Sequence, residues 1–208
     1  YVRIPGEFVT PGISIIITTN ADWEKGIPHS LNLVPTIVKH SHNIELYIAR
    51  VKTSESIVAN TLTIPKIREA IIKAFPIYDN INIVEVTAPI VVPYNMQYTD
   101  DWSKTLTQLL IDRRSILGKD GNYNSILYAF VPYRGASVAG IAYINSGVAL
   151  GIDSTSSWER VFIHELGHAL NLKHAPCGNT SNSDNLFPYI NGSIGPSLPF
   201  NVISGTSN

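Results

Sequence analysis

The segment from residue 164 to residue 174 carries three histidines and a glutamate at a spacing that suits metal chemistry. His164 and His168 are four positions apart, so on a helix their rings lie one turn apart on one face and can bind a single ion. A catalytic zinc ion takes three protein ligands and keeps a fourth position open, and His174 is the candidate for the third ligand. The spacing therefore predicts one catalytic Zn2+ ion held by His164, His168 and His174.

His174 can reach the same ion only if the helix ends before it. On a continuous helix its side chain would lie more than one turn beyond His168 and on a diverging face. Asn171 can end the helix, because Asn adopts a positive φ more readily than any residue except Gly. Pro176 then prevents the helix from resuming. We therefore expect a turn at Asn171 that brings the chain back towards the metal.

Glu165 follows the first ligand and is the candidate catalytic residue. On the helix it lies beside the metal, where it can accept a proton from the water that the metal activates and pass it to a departing amine. A bare H-E-x-x-H pattern also arises by chance in helices that bind no metal. A third histidine placed after a helix-ending Asn makes that alternative much weaker. The pattern predicts hydrolysis without a covalent intermediate, with Glu165 as the general base.

The elements around this segment predict an α+β fold. Ser156 and Glu159 have the spacing of a capping box, and Phe162, Leu166 and Ala169 are expected to face a core. Alternating or continuous apolar runs predict strands, and apolar residues at helical spacing predict helices. The predicted strands cover residues 44–51, 81–86, 126–131, 140–144 and 148–152, and the predicted helices cover 64–75, 101–117 and 157–172.

Short β-like runs broken by Pro-Gly turns fill the start of the chain. We therefore predict a β-rich N-terminal module over residues 1–38 and a catalytic domain over 39–208. The chain begins with Tyr1 and is rich in Asn, Ser and Thr, which favours a processed, secreted protein.

The composition argues against several partners. The chain has 208 residues, a formal net charge of -1 and 15% charged residues, with no run of Lys or Arg that would predict binding to nucleic acid or to a membrane surface. No stretch approaches the roughly 18 consecutive apolar residues of a membrane span. We expect a monomer that acts on a protein or glycoprotein.

The motif resembles the signature of the metzincin zinc peptidases, H-E-x-x-H-x-x-G-x-x-H, with Asn171 in place of the usual Gly. The resemblance implies a twisted, mostly parallel sheet with an antiparallel edge strand, a backing helix and an active-site helix. Residues 140–143 and 147–151 look like the edge strand of that family and the strand after it. Substrate would then pair with the edge strand at Ile141, Ala142 and Tyr143.

The region after the third histidine looks like a bacterial exported branch of the metzincins. Residues 174–178, Tyr189 and residues 192–195 carry this likeness. The family places a Met in a turn beneath the metal, whereas the single Met here is Met96, far upstream. Either that turn lies beyond Asn208, or residues 202–204 form it with Ile in place of Met. We expect the former, because Cys177 would also find a disulfide partner there.

Three functions remain compatible with the sequence. The first is a secreted zinc endopeptidase, the second a binding module on an inactive peptidase scaffold, and the third a zinc hydrolase of a non-peptide bond. Other candidate ligands are weaker. His40 and His42 are expected to be solvated surface residues, Cys177 a half-cystine rather than a reactive thiol, and Asp153 and Asp184 loop residues outside any calcium motif.

Overall fold

The computed structural model describes residues 15–19, 29–33, 44–75, 81–118, 125–133, 135–177, 180–185, 187, 200–201 and 206–207. The chain divides into two compact units, Tyr1–His42 and Asn43–Asn208. In the first unit, β1 (Ile15–Thr19) pairs antiparallel with β2 (His29–Leu33). That these units are a β module and a catalytic domain stays a prediction, as does the boundary after residue 38.

The second unit contains one mixed sheet. Its strands are β3 (Ile44–Lys52), β4 (Ile81–Glu85), β5 (Ile90–Val91), β6 (Ile126–Pro132), β7 (Gly140–Ala142) and β8 (Val148–Asp153). The order is β4-β3-β6-β8-β7, with β5 paired to β3, and every pairing is parallel except that of β7 with β8. A short antiparallel pair, β9 (Phe200–Asn201) and β10 (Thr206–Ser207), also belongs to this unit.

Within the part of the chain that the structure describes, three helices accompany the sheet: α1 (Ile64–Ala74), α2 (Thr99–Leu117) and α3 (Trp158–Ala169). They pack in two clusters that share the central strands. One cluster joins residues of α1 and α3 to Tyr128 and Phe130, and the other joins residues of α2 to Leu127 and Ala129. Alternate residues of β6 thus enter different clusters, which is why every position of this strand and of β8 is buried. The predicted α+β class, with a mostly parallel sheet, is confirmed.

The predicted strands and helices are present, with their ends shifted. The largest shift is in α3, which ends at Ala169 rather than at residue 172. The predicted capping box is wrong as well, because Ser157 occupies the N-cap position without a side-chain hydrogen bond to the helix. The Glu159 carboxylate lies 3.9 Å from the Lys73 ammonium of α1 instead of reaching back to the cap. In the described residues, no helix is long and apolar enough to cross a membrane.

Candidate metal centre

Helix α3 places two of the three histidines. Its apolar face buries Phe162, Leu166 and Ala169, as predicted, and this contact fixes the rotation of the helix against the sheet. His164 and His168 are one turn apart, so they lie together on a different face of the helix from these apolar residues. Their Nε2 atoms lie 3.1 Å apart.

A Schellman motif ends α3 and turns the chain back. The Asn171 N–H donates to the carbonyl of His168 (2.9 Å), and the Leu172 N–H donates to the carbonyl of Gly167 (2.8 Å). Asn171 has φ 75°, the left-handed conformation that this motif requires. The carbonyl of Leu172 then lies 2.8 Å from Nδ1 of His168, so the turn also orients a ring. The predicted turn at Asn171 is confirmed.

Substitution at this turn should separate backbone conformation from side-chain chemistry. We expect Asn171→Val to weaken metal binding by on the order of tenfold, because a β-branched residue resists a positive φ at a cost of about 1–2 kcal/mol. Asn171→Gly should bind metal as the unmodified chain does. Metal titration and thermal melting of both variants measure this, and equal behaviour of the two would contradict the role of the turn.

His174 enters the centre from the segment after the turn. Its backbone pairs with residues 182–184: the His174 N–H donates to the Asn182 carbonyl (3.3 Å), and its own carbonyl accepts from the Asp184 N–H (2.7 Å). Nε2 of His174 lies 3.0 Å from Nε2 of His168, and Nδ1 lies 2.7 Å from the carbonyl of Ser181. The structure therefore brings the three predicted ligands together.

The donor set fits a cation. A carbonyl oxygen can only accept, so Nδ1 of His168 and Nδ1 of His174 carry the protons, and both Nε2 atoms present lone pairs. Two lone pairs that face each other at 3.0 Å repel unless a proton or a metal cation lies between them. Candidate ligand atoms of the three histidines all lie within 4.8 Å of one another. Carbonyl oxygens that fix the tautomer of a ligating histidine are typical of metal sites.

The lowered pKa of His164 also fits a metal ligand. Partial burial, and then the neighbouring charges of His168 and His174, lower the pKa of its ring. The ring therefore stays neutral at neutral pH, which is the form that binds a metal. Since His164 is the exposed member of the three, the centre opens to solvent on that side.

Glu165 follows His164 on the helix, but its side chain is buried whereas His164 is exposed. The Glu165 side chain is 7% exposed, and burial raises its pKa to about 7. A cavity of about 500 Å³ is lined by His164, Glu165, Gly140 and Arg160 among others. A group in this cavity would therefore lie against both His164 and the carboxyl group of Glu165.

Similarity to known proteins agrees with this geometry. The sequence model of the family Peptidase M66 matches residues 95–198, which is half of the chain and includes α2, β6, β7, β8, α3 and the three histidines. This chain belongs to the peptidase M66 family. It is thus a member of a metallopeptidase family.

No curated protein matched the sequence. A solved structure entitled "Structure of a chaperone-substrate complex" matched 74% of this chain with 17% identity and a TM-score of 0.42. The match covers 29% of that chain, so this M66 chain spans less than a third of its length.

Among the described strands, β7 lies at one of the two edges of the mixed sheet, and the side chains of residues 140–143 divide between the two faces of the sheet. Ile141 packs in the cluster of α2, and the Tyr143 hydroxyl lies 3.0 Å from the hydroxyl of Thr107 on α2. Gly140 and Ala142 lie on the side of α3, and Gly140 lines the cavity beside Glu165. Substrate binding at residues 141–143 stays a prediction, for which their backbone rather than their side chains is suited.

Residues 137–140 and Arg160 line the cavity, and none of them was a predicted site residue. Gly140 was singled out only as part of the edge-strand pattern. Among these residues, the only sequence signal is Arg160, a charged residue on the predicted helix one turn before His164. Residues 137–140 are of types that give no such signal. These residues line the cavity because β7 packs against α3, and this contact depends on the order of the strands in the sheet.

Other residues singled out from the sequence lie away from the centre or cannot be placed. Met96 is fully buried in the cluster of α2, where its sulfur accepts a hydrogen bond from Thr105, so it does not lie beneath the histidines. Cys177 is exposed with a free thiol. Asp153 ends β8, and its Oδ2 accepts a hydrogen bond from the N–H of Thr61 (2.7 Å). The remaining candidates, at positions 40, 42, 189, 192–195 and 202–204, lie outside the described residues.

Proposed function

We propose that this M66 protein is a secreted, zinc-dependent endopeptidase that hydrolyses peptide bonds of extracellular proteins or glycoproteins. The observation that carries the proposal is the convergence of three histidine nitrogens next to a buried carboxyl group, in a chain of a metallopeptidase family. Three imidazoles are the ligand set of many catalytic zinc sites. The low charge and the abundance of Asn, Ser and Thr support secretion.

His164, His168 and His174 would hold the ion, and Glu165 would handle the proton. A bound zinc ion supplies a Lewis acid that lowers the pKa of a coordinated water and polarises a carbonyl group. With its pKa near 7, the Glu165 carboxyl group can take up a proton from the attacking water and give it to the leaving amine at neutral pH. Burial of the carboxyl group keeps bulk water away from this transfer.

The edge strand supports a peptide as the substrate. Among the described strands, β7 pairs with β8 alone, so the backbone of its other side can pair with an extended peptide. A peptide added there would run along the strand that contains Gly140, which lines the cavity beside Glu165. The antiparallel edge strand, the helix with the H-E-x-x-H motif and the turn before the third histidine together support a metzincin-like catalytic domain.

Cleavage-site profiling tests this function. We expect the zinc-loaded protein to produce internal fragments from a mixture of extracellular proteins and glycoproteins, identified by mass spectrometry. A peptide hydroxamate should stop the cleavage, because its two oxygens bind a zinc ion with an open position. Binding of the mixture without fragments would favour an inactive binding module, and hydrolysis of esters without peptide cleavage would favour a different hydrolase.

A further inference from the structure

Two glycines lie opposite each other in the pairing of β7 with β8. Gly140 and Gly151 are register partners, and neither position has room for a side chain. A Cβ atom on Gly140 would lie 2.6 Å from Cγ and 2.8 Å from Oε1 of Glu165. A Cβ atom on Gly151 would lie 1.9 Å from the hydroxyl oxygen of Tyr128. The space of the two missing side chains, here called the glycine slot, is therefore occupied by the Glu165 carboxyl group and the Tyr128 hydroxyl group.

The two groups in the glycine slot are neighbours. Side-chain positions directly opposite each other in an antiparallel pair are about 4.5–5.5 Å apart. One methyl group, Cγ1 of Val161, lies 2.7 Å from the Cβ position of Gly140 and 3.3 Å from that of Gly151, and so bounds the slot from α3. The hydroxyl group and the carboxyl group thus occupy adjacent side-chain positions next to α3, and no hydrogen bond joins them in this arrangement.

The Tyr128 hydroxyl group has no other evident role. Its ring is fully buried and packs against Phe130 and Phe162, at centroid distances of 5.0 and 4.7 Å. Among the described residues, the hydroxyl oxygen finds no hydrogen-bond partner. Phenylalanine would give the same packing without burying an unpaired polar group, which is unfavourable. Burial, and secondly the charge of Glu165, raise the pKa of Tyr128 well above its usual value, so the hydroxyl keeps its proton and is a donor.

We propose that Tyr128 is a positioning residue for Glu165. Its hydroxyl group holds the Glu165 carboxylate in the glycine slot by a hydrogen bond, either direct or through one water molecule. This hydrogen bond forms as the carboxylate takes up the position from which it transfers a proton. This inference rests on the proposed function, because it assigns a role through Glu165. The glycines are part of the device, since a side chain at either position would displace one of the two partners. A carboxylate held by the Tyr128 hydroxyl group keeps its orientation relative to His164 while it accepts and releases a proton.

Tyr128→Phe is the direct test. We expect kcat for a cleaved peptide to fall about tenfold, which corresponds to the loss of one hydrogen bond in the transition state, while KM and the zinc content stay unchanged. Tyr47→Phe is the matched control, because Tyr47 is also buried but belongs to the cluster of α2. The kcat of this variant should equal that of the unmodified enzyme. A kcat for Tyr128→Phe within twofold of the unmodified enzyme would overturn the inference.

A stability measurement tests the slot without using activity. In the metal-free protein, Gly151→Ala should lower the melting temperature strongly when Tyr128 is present, and much less when combined with Tyr128→Phe, because the hydroxyl that blocks the methyl group is gone. If the single variant fails to fold, recovery of folding in the double variant gives the same answer. Equal losses in both backgrounds would contradict the occupation of the slot by the hydroxyl group.

The inference and the proposed function fail in different ways. If Glu165→Gln retains activity, Glu165 is not the general base and the proposed mechanism fails. If Glu165→Gln is inactive while Tyr128→Phe keeps its kcat, only the role of Tyr128 is wrong.

Discussion

Replacing Glu165 with Gln should leave the metal bound and lower kcat by about 10²–10⁴-fold, the usual contribution of a general acid–base group. Gln has nearly the same shape and fits the same space beside Gly140, but it cannot take up a proton. The histidine ligands do not depend on the charge of residue 165. The measurement is kcat for a cleaved peptide together with the metal content of the purified variant.

Glu159→Gln is the matched control for this prediction. Glu159 lies on the same helix, α3, but its side chain is 49% exposed and does not line the cavity beside Glu165. The control should keep full activity. Undiminished cleavage by Glu165→Gln would exclude Glu165 as the base, and loss of metal from that variant would show that Glu165 supports the centre itself.

Removing His174 should abolish cleavage together with metal binding. We expect His174→Ala to bind metal more than about 100-fold less tightly, because the loss of a group that merely orients a ligand already costs about 10–100-fold. His174 is the suitable ligand to remove, since it follows α3 and is only half-buried, so its loss spares the packing of the helix. Metal titration by competition with a chelator measures the effect.

His40→Ala provides the control for the histidine prediction, because His40 belongs to no proposed site. Its metal affinity should equal that of the unmodified protein. If His174→Ala keeps both metal and activity, the third ligand is a different residue.

Removing the metal from the unmodified protein with a chelator should also stop cleavage, and adding zinc should restore it.

The central elements of this fold could be predicted because their sequence patterns have a single physical interpretation. The runs that form β6 and β8 are apolar at nearly every position, which is typical of strands buried on both faces. The convergence of the three histidines could be predicted because a spacing of four on a helix and a turn at Asn171 leave little freedom to their positions. Both inferences depend on residues that are close in sequence.

Features that depend on contacts between distant segments could not be predicted. The side of the sheet that Ile141 faces follows from the register of β7 with β8, and a shift of one residue would reverse it. The glycine slot joins Tyr128, Gly151 and Glu165 from three separate elements. The missing capping hydrogen bond at Ser157 shows a local failure, because the N-cap residue has φ -130° and ψ 0°, outside the extended conformation that a capping side chain needs.

Anomalous diffraction at the zinc absorption edge, from crystals of the zinc-loaded protein, tests the central claim most directly. We predict one strong peak at roughly 2.0–2.1 Å from a ring nitrogen of each of His164, His168 and His174, with the carboxyl group of Glu165 beside it but not bound to it. A peak bound by other residues, or three rings turned away from one another with no peak between them, would contradict the account.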